Sequence, residues 1–293
     1  MIDNDRCAGE LREWITFRFQ RTSLFTGCRA IPRDTSGQIQ VSALSGEVQA
    51  DPQPDLPDRG GCRAGGQRLV AAGRLWYQGP VPDEREWLFD LDNTLYPPET
   101  GLFGAVDARI NEFLALHLGL DAVAADALRR RYHDQYGITL AGLMEEHGTE
   151  PHHYLDFVHG VPVGDYLLPD PGLRSLIAAL PGRRSIFTNG SRRHALAVLA
   201  ALGLEGIFAE IFDIVALGFR PKPEPGTYRA VLERLGCEPA RAVLLDDLER
   251  NLAPARSLGM RTVLVGAAGP SAGADFTIGS LRELPAILPR LLA

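Results

Sequence analysis

The chain has 293 residues, 45% of them hydrophobic, and a formal net charge of −7, which is length enough for one large domain or two smaller ones with a sizeable core. The acidic balance and scattered basic residues exclude the footprint of a nucleic-acid polymer, and no apolar run approaches the ~18 residues of a membrane span. The four cysteines, Cys7, Cys28, Cys62 and Cys237, form no CxxC pair, so a reduced, cytoplasmic setting fits better than a disulfide framework.

Residues 1–85 differ from the rest. They are rich in Gly, Pro, Arg and Gln, carry three of the four cysteines, and lack the apolar stretch of a signal peptide. Apart from "WITFRF" no period persists long enough to bury a face, which predicts disorder. No Met lies between Met1 and Met144, and Val81 stands just before "PDEREWLFDLDN". A start at Val81 is therefore expected, with the preceding residues an artefact of translation in silico.

From residue 86 the elements follow in order. "EWLFDL" predicts a strand. Residues 98–168 read as all-helical: 103–118 carry Phe103, Val106, Ile110, Phe113 and Leu114 at helical spacing, Asp121 caps a second helix, and "TLAGLMEEHG" and "PHHYLDFVHG" form two shorter ones. A βα rhythm succeeds them. Asp170 caps "PGLRSLIAAL"; "RRSIFTN" is a strand before the helix "SRRHALAVLAAL"; "IFDIVAL" is a strand before "GTYRAVLERL"; "RAVLLDD" is a strand before "ERNLAPARSL"; "RTVLVG" and "ADFTI" are strands, and "SLRELPAILPRLL" closes the chain as a helix. Such alternation implies an α/β fold, a doubly wound parallel sheet covered on both faces, with a helical insertion. The expected divisions are 1–85, a core of 86–97 plus 169–293, and a helical cap at 98–168.

In such a sheet, ligands bind beyond the carboxyl ends of the strands. The first predicted strand ends in Asp90 and Asp92. Residues i and i+2 of a strand share a face, so these acids repel if the extended conformation persists through them. A cation, a shared proton or both would reconcile them, and a solvated acidic turn is the plain alternative. The second strand ends in Thr188-Asn189-Gly190 and the fourth in Asp246-Asp247. After the third comes Lys222, the single lysine among thirty basic residues, retained where a compact point charge suits better than a guanidinium fork. All four groups are expected on one edge of the sheet.

Taken together, "DLDNTL", "FTN", "RPKPEP" and "LLDD" resemble the four motifs of the haloacid-dehalogenase-like phosphatases, in order and spacing, over about residues 86–293. The resemblance implies a Rossmann-like core and an aspartyl-phosphate mechanism. Asp90 would be the nucleophile and Asp92 the acid and base, with Lys222 balancing charge. Thr188, Asn189, Gly190 and Lys222 would hold the phosphoryl group. Mg²⁺ would be held by Asp90, Asp92 (through its carbonyl) and the tandem acids, Asp247 directly and Asp246 behind it. Relatives commonly have Ser or Thr where this chain has Leu248, and Asn251 is a candidate to orient Asp247. The second acid, Asp92, favours phosphoryl transfer over dehalogenation, because a halide leaves without a proton.

"DNTLYPP", "RYHDQYGITLAGLM", "YLDFVHG" and "IFTNGSRRHALAVLAALGLEGIF" are similar to the pyrimidine 5′-nucleotidase branch, which implies a nucleoside monophosphate as substrate. A sugar-phosphate or phosphoglycolate phosphatase, a phosphomutase, or an idle module on the same fold are the alternatives. Tyr132, Tyr136 and "GITLAGL" are candidates for contacting the base, or else are cap core and turn. His147, His152, His153 and His159 show no ligand spacing for a second metal, and His194 reads as a helix-face residue with a smaller claim to approach substrate.

Overall fold

The computed structural model describes residues 85–292. The expectations for the segment before Arg85 lie outside the described residues. Within them, six parallel strands form one sheet in the order β3-β2-β1-β4-β5-β6. They are β1 Glu86–Phe89, β2 Arg183–Phe187, β3 Glu210–Phe212, β4 Ala242–Asp246, β5 Arg261–Val265 and β6 Phe276–Ile278. The doubly wound α/β architecture is as expected.

The central strands are apolar at successive positions because both faces are covered. Trp87 and Phe89 of β1 join Val243 and Leu245 of β4 in one buried cluster, and Leu88 and Leu244 join the other. The first face is covered by α5 (Pro171–Ala178), α6 (Arg192–Ala201) and α9 (Leu284–Leu291). The second is covered by α7 (Pro225–Leu235) and α8 (Glu249–Ser257). Buried Glu86 at the start of β1 is compensated by Arg183, its register partner on β2. Helix starts follow their capping residues: Asp121 accepts from Ala124 N at 2.8 Å and Asp170 from Leu173 N at 2.8 Å.

Between β1 and α5 lie four helices: α1 Leu102–Leu118, α2 Ala122–Tyr136, α3 Thr139–His147 and α4 Pro151–Val158. They pack around a core of their own, with Phe113, Leu114, Tyr132, Leu143, Tyr154 and Leu155 buried in it. Ile214 belongs to this cluster as well. That placement corrects the expectation of a strand through "IFDIVAL". Only Glu210–Phe212 pairs in the sheet, because the Asp213 carboxylate accepts from Arg192 N at 3.0 Å and Ala216 N at 3.2 Å and turns the chain. Ile214 is thereby turned toward the helices. The C-terminal helix is also shorter than expected, since Leu281–Glu283 form a 3₁₀ turn before α9. Among the described residues no helix is long and apolar enough to cross a membrane.

Candidate active site

The predicted groups do meet at the carboxyl ends of the strands. Asp90 N extends the ladder by one bond, to Leu245 O at 2.9 Å, and then the chain coils: Leu95 N donates to Leu91 O at 3.0 Å and Asn93 takes φ +60°. The extended conformation thus ends at the first acid, and the two carboxylates do not share a strand face. Each has its own surroundings.

Asp90 belongs to a buried ionic cluster. Its Oδ1 accepts from Lys222 Nζ at 2.7 Å and its Oδ2 from Thr94 Oγ1 at 3.1 Å. Lys222 is 1% exposed and spends its three donors on Asp90, Asp246 Oδ2 at 2.7 Å and Phe187 O at 2.8 Å. Burial opposes the lysine's charge, but Asp246 and Asp90 outweigh it and drive the ammonium pKa above its ordinary value. Burial raises the Asp90 pKa too, well above the ordinary carboxylate range; Lys222 opposes the shift while Asp246 and Asp247 add to it.

The tandem acids differ from one another. Asp246 is fully buried and saturated with donors: Lys222, Leu248 N at 2.9 Å and Asn251 Nδ2 at 2.9 Å. Asn251 therefore holds Asp246, where the sequence suggested Asp247. The Leu248 backbone supplies a donor to the same carboxylate although its side chain has none. Half-buried Asp247 is pushed up to about 7 by burial and by the charge of Asp246, with the charge of Lys222 and the Asn93 side chain opposing. Asp90, Asp246 and Asp247 each offer an oxygen, all within 4.8 Å of one another. Three carboxylates facing one ammonium leave negative charge uncompensated, and oxygen donors suit a hard divalent cation such as Mg²⁺. The donor set fits that ion.

The loop after β2 is ordered by its own side chains. Thr188 Oγ1 accepts from Gly190 N at 2.9 Å, and the Asn189 amide brackets the Lys222 peptide, accepting from its N–H at 2.8 Å and donating to its carbonyl at 3.0 Å. Thr188, Asn189 and Gly190 all border the same cavity as the acids. The Asn189 side chain thus serves the lysine loop, leaving its main chain for a ligand.

Asp92 has partners that the sequence reading did not assign. Its Oδ1 accepts from Tyr96 OH at 2.5 Å and from His194 Nε2 at 2.7 Å. Burial pushes Asp92 up, yet the charge and hydrogen bond of His194 and the hydrogen bond of Tyr96 prevail and hold it below its usual value. His194 is itself 1% exposed and lies flat against His159, with ring centroids 4.5 Å apart and planes at 13°. The signals for these residues were weak but present. Tyr96 stands four residues after Asp92 in a coil that brings them together, and His194 is in the first turn of the helix after "TNG".

The cavity, about 310 Å³, runs from Asp90, Asp92, Lys222 and Asp247 to an apolar wall that includes Phe103, Val106, Ile138, Leu140 and Leu155. Of the candidate base contacts, Ile138, Thr139 and Leu140 of "GITLAGL" border it, whereas Tyr132 and Tyr136 do not. Tyr132 OH is engaged with Glu146 and His147, each at 2.8 Å, and Tyr136 OH donates to Glu146 at 3.1 Å. Two contacts hold the helices over the strand ends. Arg250 of α8 donates to His133 O at 2.8 Å and Gly137 O at 2.9 Å. Gly137, at φ +86°, lies so close that a Cβ there would stand 3.0 Å from Lys222 O.

Residues 88–259 match the family model of the haloacid dehalogenase-like hydrolases, and the chain belongs to that family. It is 30% identical over 200 residues to Phosphate metabolism protein 8 of Saccharomyces cerevisiae, a match covering 63% of this chain and 62%, just under two thirds, of the yeast protein. A phosphoglycolate phosphatase of Rhodospirillum rubrum is 28% identical over 190 residues, covering 61% of this chain and 78% of that one. Among solved structures, a HAD phosphatase from Thermococcus onnurineus aligns with a TM-score of 0.49 at 22% identity, over 70% of this chain and 97% of that one.

Proposed function

We propose that the chain is a Mg²⁺-dependent phosphatase that hydrolyses nucleoside 5′-monophosphates, pyrimidine ones foremost, by way of an aspartyl-phosphate on Asp90. The observation that carries this reading is the separation of the two acids: Asp90 sits on Lys222, while Asp92 borders the same cavity held by Tyr96 and His194. A nucleophile needs a neighbouring cation to approach an anionic ester, and a proton donor needs independence from that cation.

In the first step an Asp90 oxygen bonds to phosphorus as the bond to the leaving oxygen breaks, and Asp92 transfers its proton to that oxygen. The ester's negative charge beside Asp92 favours its protonated form before transfer. In the second step Asp92 takes a proton from water as the water oxygen attacks phosphorus, freeing phosphate and restoring the Asp90 carboxylate. Lys222 keeps Asp90 and Asp246 in place throughout, and the Asn189 N–H and the Thr188 hydroxyl hydrogen are the donors of the loop after β2 left for the phosphoryl oxygens, since the N–H groups of Thr188 and Gly190 are spent on Phe212 O and Thr188 Oγ1. Mg²⁺, when bound by Asp90, the Asp92 carbonyl and Asp247, with Asp246 behind them, supplies charge neutralisation at the phosphoryl group. The helices over the cavity act as a cap that excludes water.

The nucleoside reading rests on the apolar wall. A two-carbon carboxylate such as glycolate calls for a cation, and the two guanidinium groups at this cavity direct their Nη donors elsewhere: those of Arg129 to Asp107 and Asp126, those of Arg250 to main-chain carbonyls. The names of the phosphoglycolate phosphatases among the relatives favour the second reading, a small-metabolite phosphatase. Phosphate release from a panel of nucleoside monophosphates, sugar phosphates and phosphoglycolate, with Mg²⁺ and with EDTA, separates them. Metal-dependent turnover favouring UMP and CMP is expected. Preference for phosphoglycolate would replace the substrate assignment, and no release from any ester would remove the enzymatic one.

A further inference from the structure

His194 is nearly inaccessible, is not a ligand of the acid cluster, and nonetheless reaches the one acid that the cluster leaves out. Its position has a local cause. Ser191 caps α6, accepting from His194 N at 3.3 Å, so His194 falls in the first turn with its ring turned back over the loop. Gly190 lies beside that ring. A Cβ at Gly190 would crowd Thr188 Oγ1 at 3.2 Å and would touch His194 Cδ2 at 3.4 Å and Asp92 Oδ2 at 3.7 Å. The imidazole is then braced from the helical side. His159, the residue closing α4, lies parallel to it and is held by Ser191 Oγ at 2.9 Å, the same hydroxyl that caps α6.

We infer that His194, braced by His159, is a positioning residue for Asp92: by bonding only Oδ1, together with Tyr96, it fixes the carboxyl so that Oδ2 is presented to the leaving-group oxygen. This rests on the assignment of Asp92 as proton donor given above. A carboxyl free to rotate would deliver its proton from a distribution of angles, and small misplacements of a transferring group cost large factors in rate. The arrangement also ties Asp92 to the helices. His159 is carried at the end of α4, so the stack is complete only when those helices lie where the structure places them.

The discriminating measurement is the leaving-group dependence of kcat/KM, which reports steps up to the first irreversible one and so isolates transfer to Asp90 from later hydrolysis. An alkyl ester such as a nucleoside monophosphate needs a proton on its departing oxygen; p-nitrophenyl phosphate needs one far less. His194→Leu is expected to lower kcat/KM for the alkyl ester by about 10²-fold, and by at least about tenfold less for the aryl ester. His194→Gln, which keeps a donor near the Nε2 position, is expected to recover most of the difference. His159→Leu, which removes the brace alone, should show the same asymmetry at smaller size and serves if the His194→Leu protein does not fold. Equal losses for both esters, or no rescue by Gln, would overturn the inference. Asp92→Asn is the internal control: if it too lacks the asymmetry, the proton-donor assignment fails, whereas asymmetry in Asp92→Asn without it in His194→Leu rejects the positioning role alone.

Discussion

Asp90 and Asp92 are two residues apart, and the site treats them in opposite ways. On the Asp90 side, carboxylates are packed around one ammonium with too little positive charge to balance them, and burial carries the Asp90 pKa up. On the Asp92 side, two directed donors converge on one oxygen, and they hold that carboxyl down despite its burial. The difference comes from the coil that follows β1. It turns the second acid away from the ion cluster and toward α6. Two acids that would repel in a continued strand become one that shares a single ammonium with two other carboxylates and one that is held apart by hydrogen bonds from Tyr96 and His194.

The largest effects should come from breaking the Asp90 side. Asp90→Asn keeps the shape and removes the oxygen proposed as nucleophile, so turnover should fall by at least about 10³-fold with an unchanged circular dichroism spectrum. Substantial residual phosphate release from that variant would reject the nucleophile assignment. Lys222→Met should harm folding as well as turnover, because it strands Asp90 and Asp246 as buried carboxylates without a counter-charge. A loss of about 3–5 kcal/mol is expected in denaturant unfolding. Lys222→Arg should fail to rescue it: the pocket is closed around an ammonium with three partners at 2.7–2.8 Å, and the wider guanidinium has no room. Rescue by Arg would mean that charge alone, and not its compact shape, is what the site needs.

The contrast between the two sides also marks what sequence reasoning reached. Asp90, Thr188, Lys222 and the Asp246-Asp247 pair could be read because a parallel sheet converts strand ends into neighbours, and each of these groups stands at or just after one. The core strands were equally legible, since apolar runs such as "WLF" and "AVLL" leave no other place to lie. His194, His159 and Tyr96 belong to a different class of information. Their meeting depends on how a coil turns after Asp90 and where α4 ends over the sheet, neither of which follows from periodicity. The end of β3 escaped for a related reason: "IFDIVAL" is apolar enough for a longer strand, and only the two hydrogen bonds to Asp213 decide that it stops at Phe212. Asn251 was placed one turn from Asp247, and the backbone at Leu248 gives it Asp246 instead.

A smaller effect sharpens the comparison at the tandem acids. If Asp247 is the carboxylate left for the cation, millimolar Mg²⁺ should raise the melting temperature of the parent protein, and Asp247→Asn should abolish most of that rise. Without Mg²⁺ the same variant should be no less stable, because it removes one of three crowded carboxylates. Asp246→Asn should behave differently and destabilise the protein in either condition, since that side chain holds Lys222, Leu248 N and Asn251 together. Equal Mg²⁺ responses in the two variants would erase the distinction drawn between the tandem acids.

The smallest change tests the other side. Tyr96→Phe removes one of the two donors on Asp92 Oδ1 and leaves the ring, which is buried, to fill the same space. A hydrogen bond to a charged group of this kind contributes about 1.5–3 kcal/mol at most, so stability should fall modestly in denaturant unfolding. The consequence for turnover depends on how Asp92 is held. With His194 still bonded to Oδ1, the carboxyl keeps one fixed oxygen and loses only part of its restraint. The loss in kcat/KM for an alkyl ester should therefore be smaller than for His194→Leu, and removing both donors should cost more than the two single losses combined. Strict additivity in that double-mutant cycle would mean that Tyr96 and His194 act on Asp92 independently, and the picture of two donors sharing one oxygen would have to be given up.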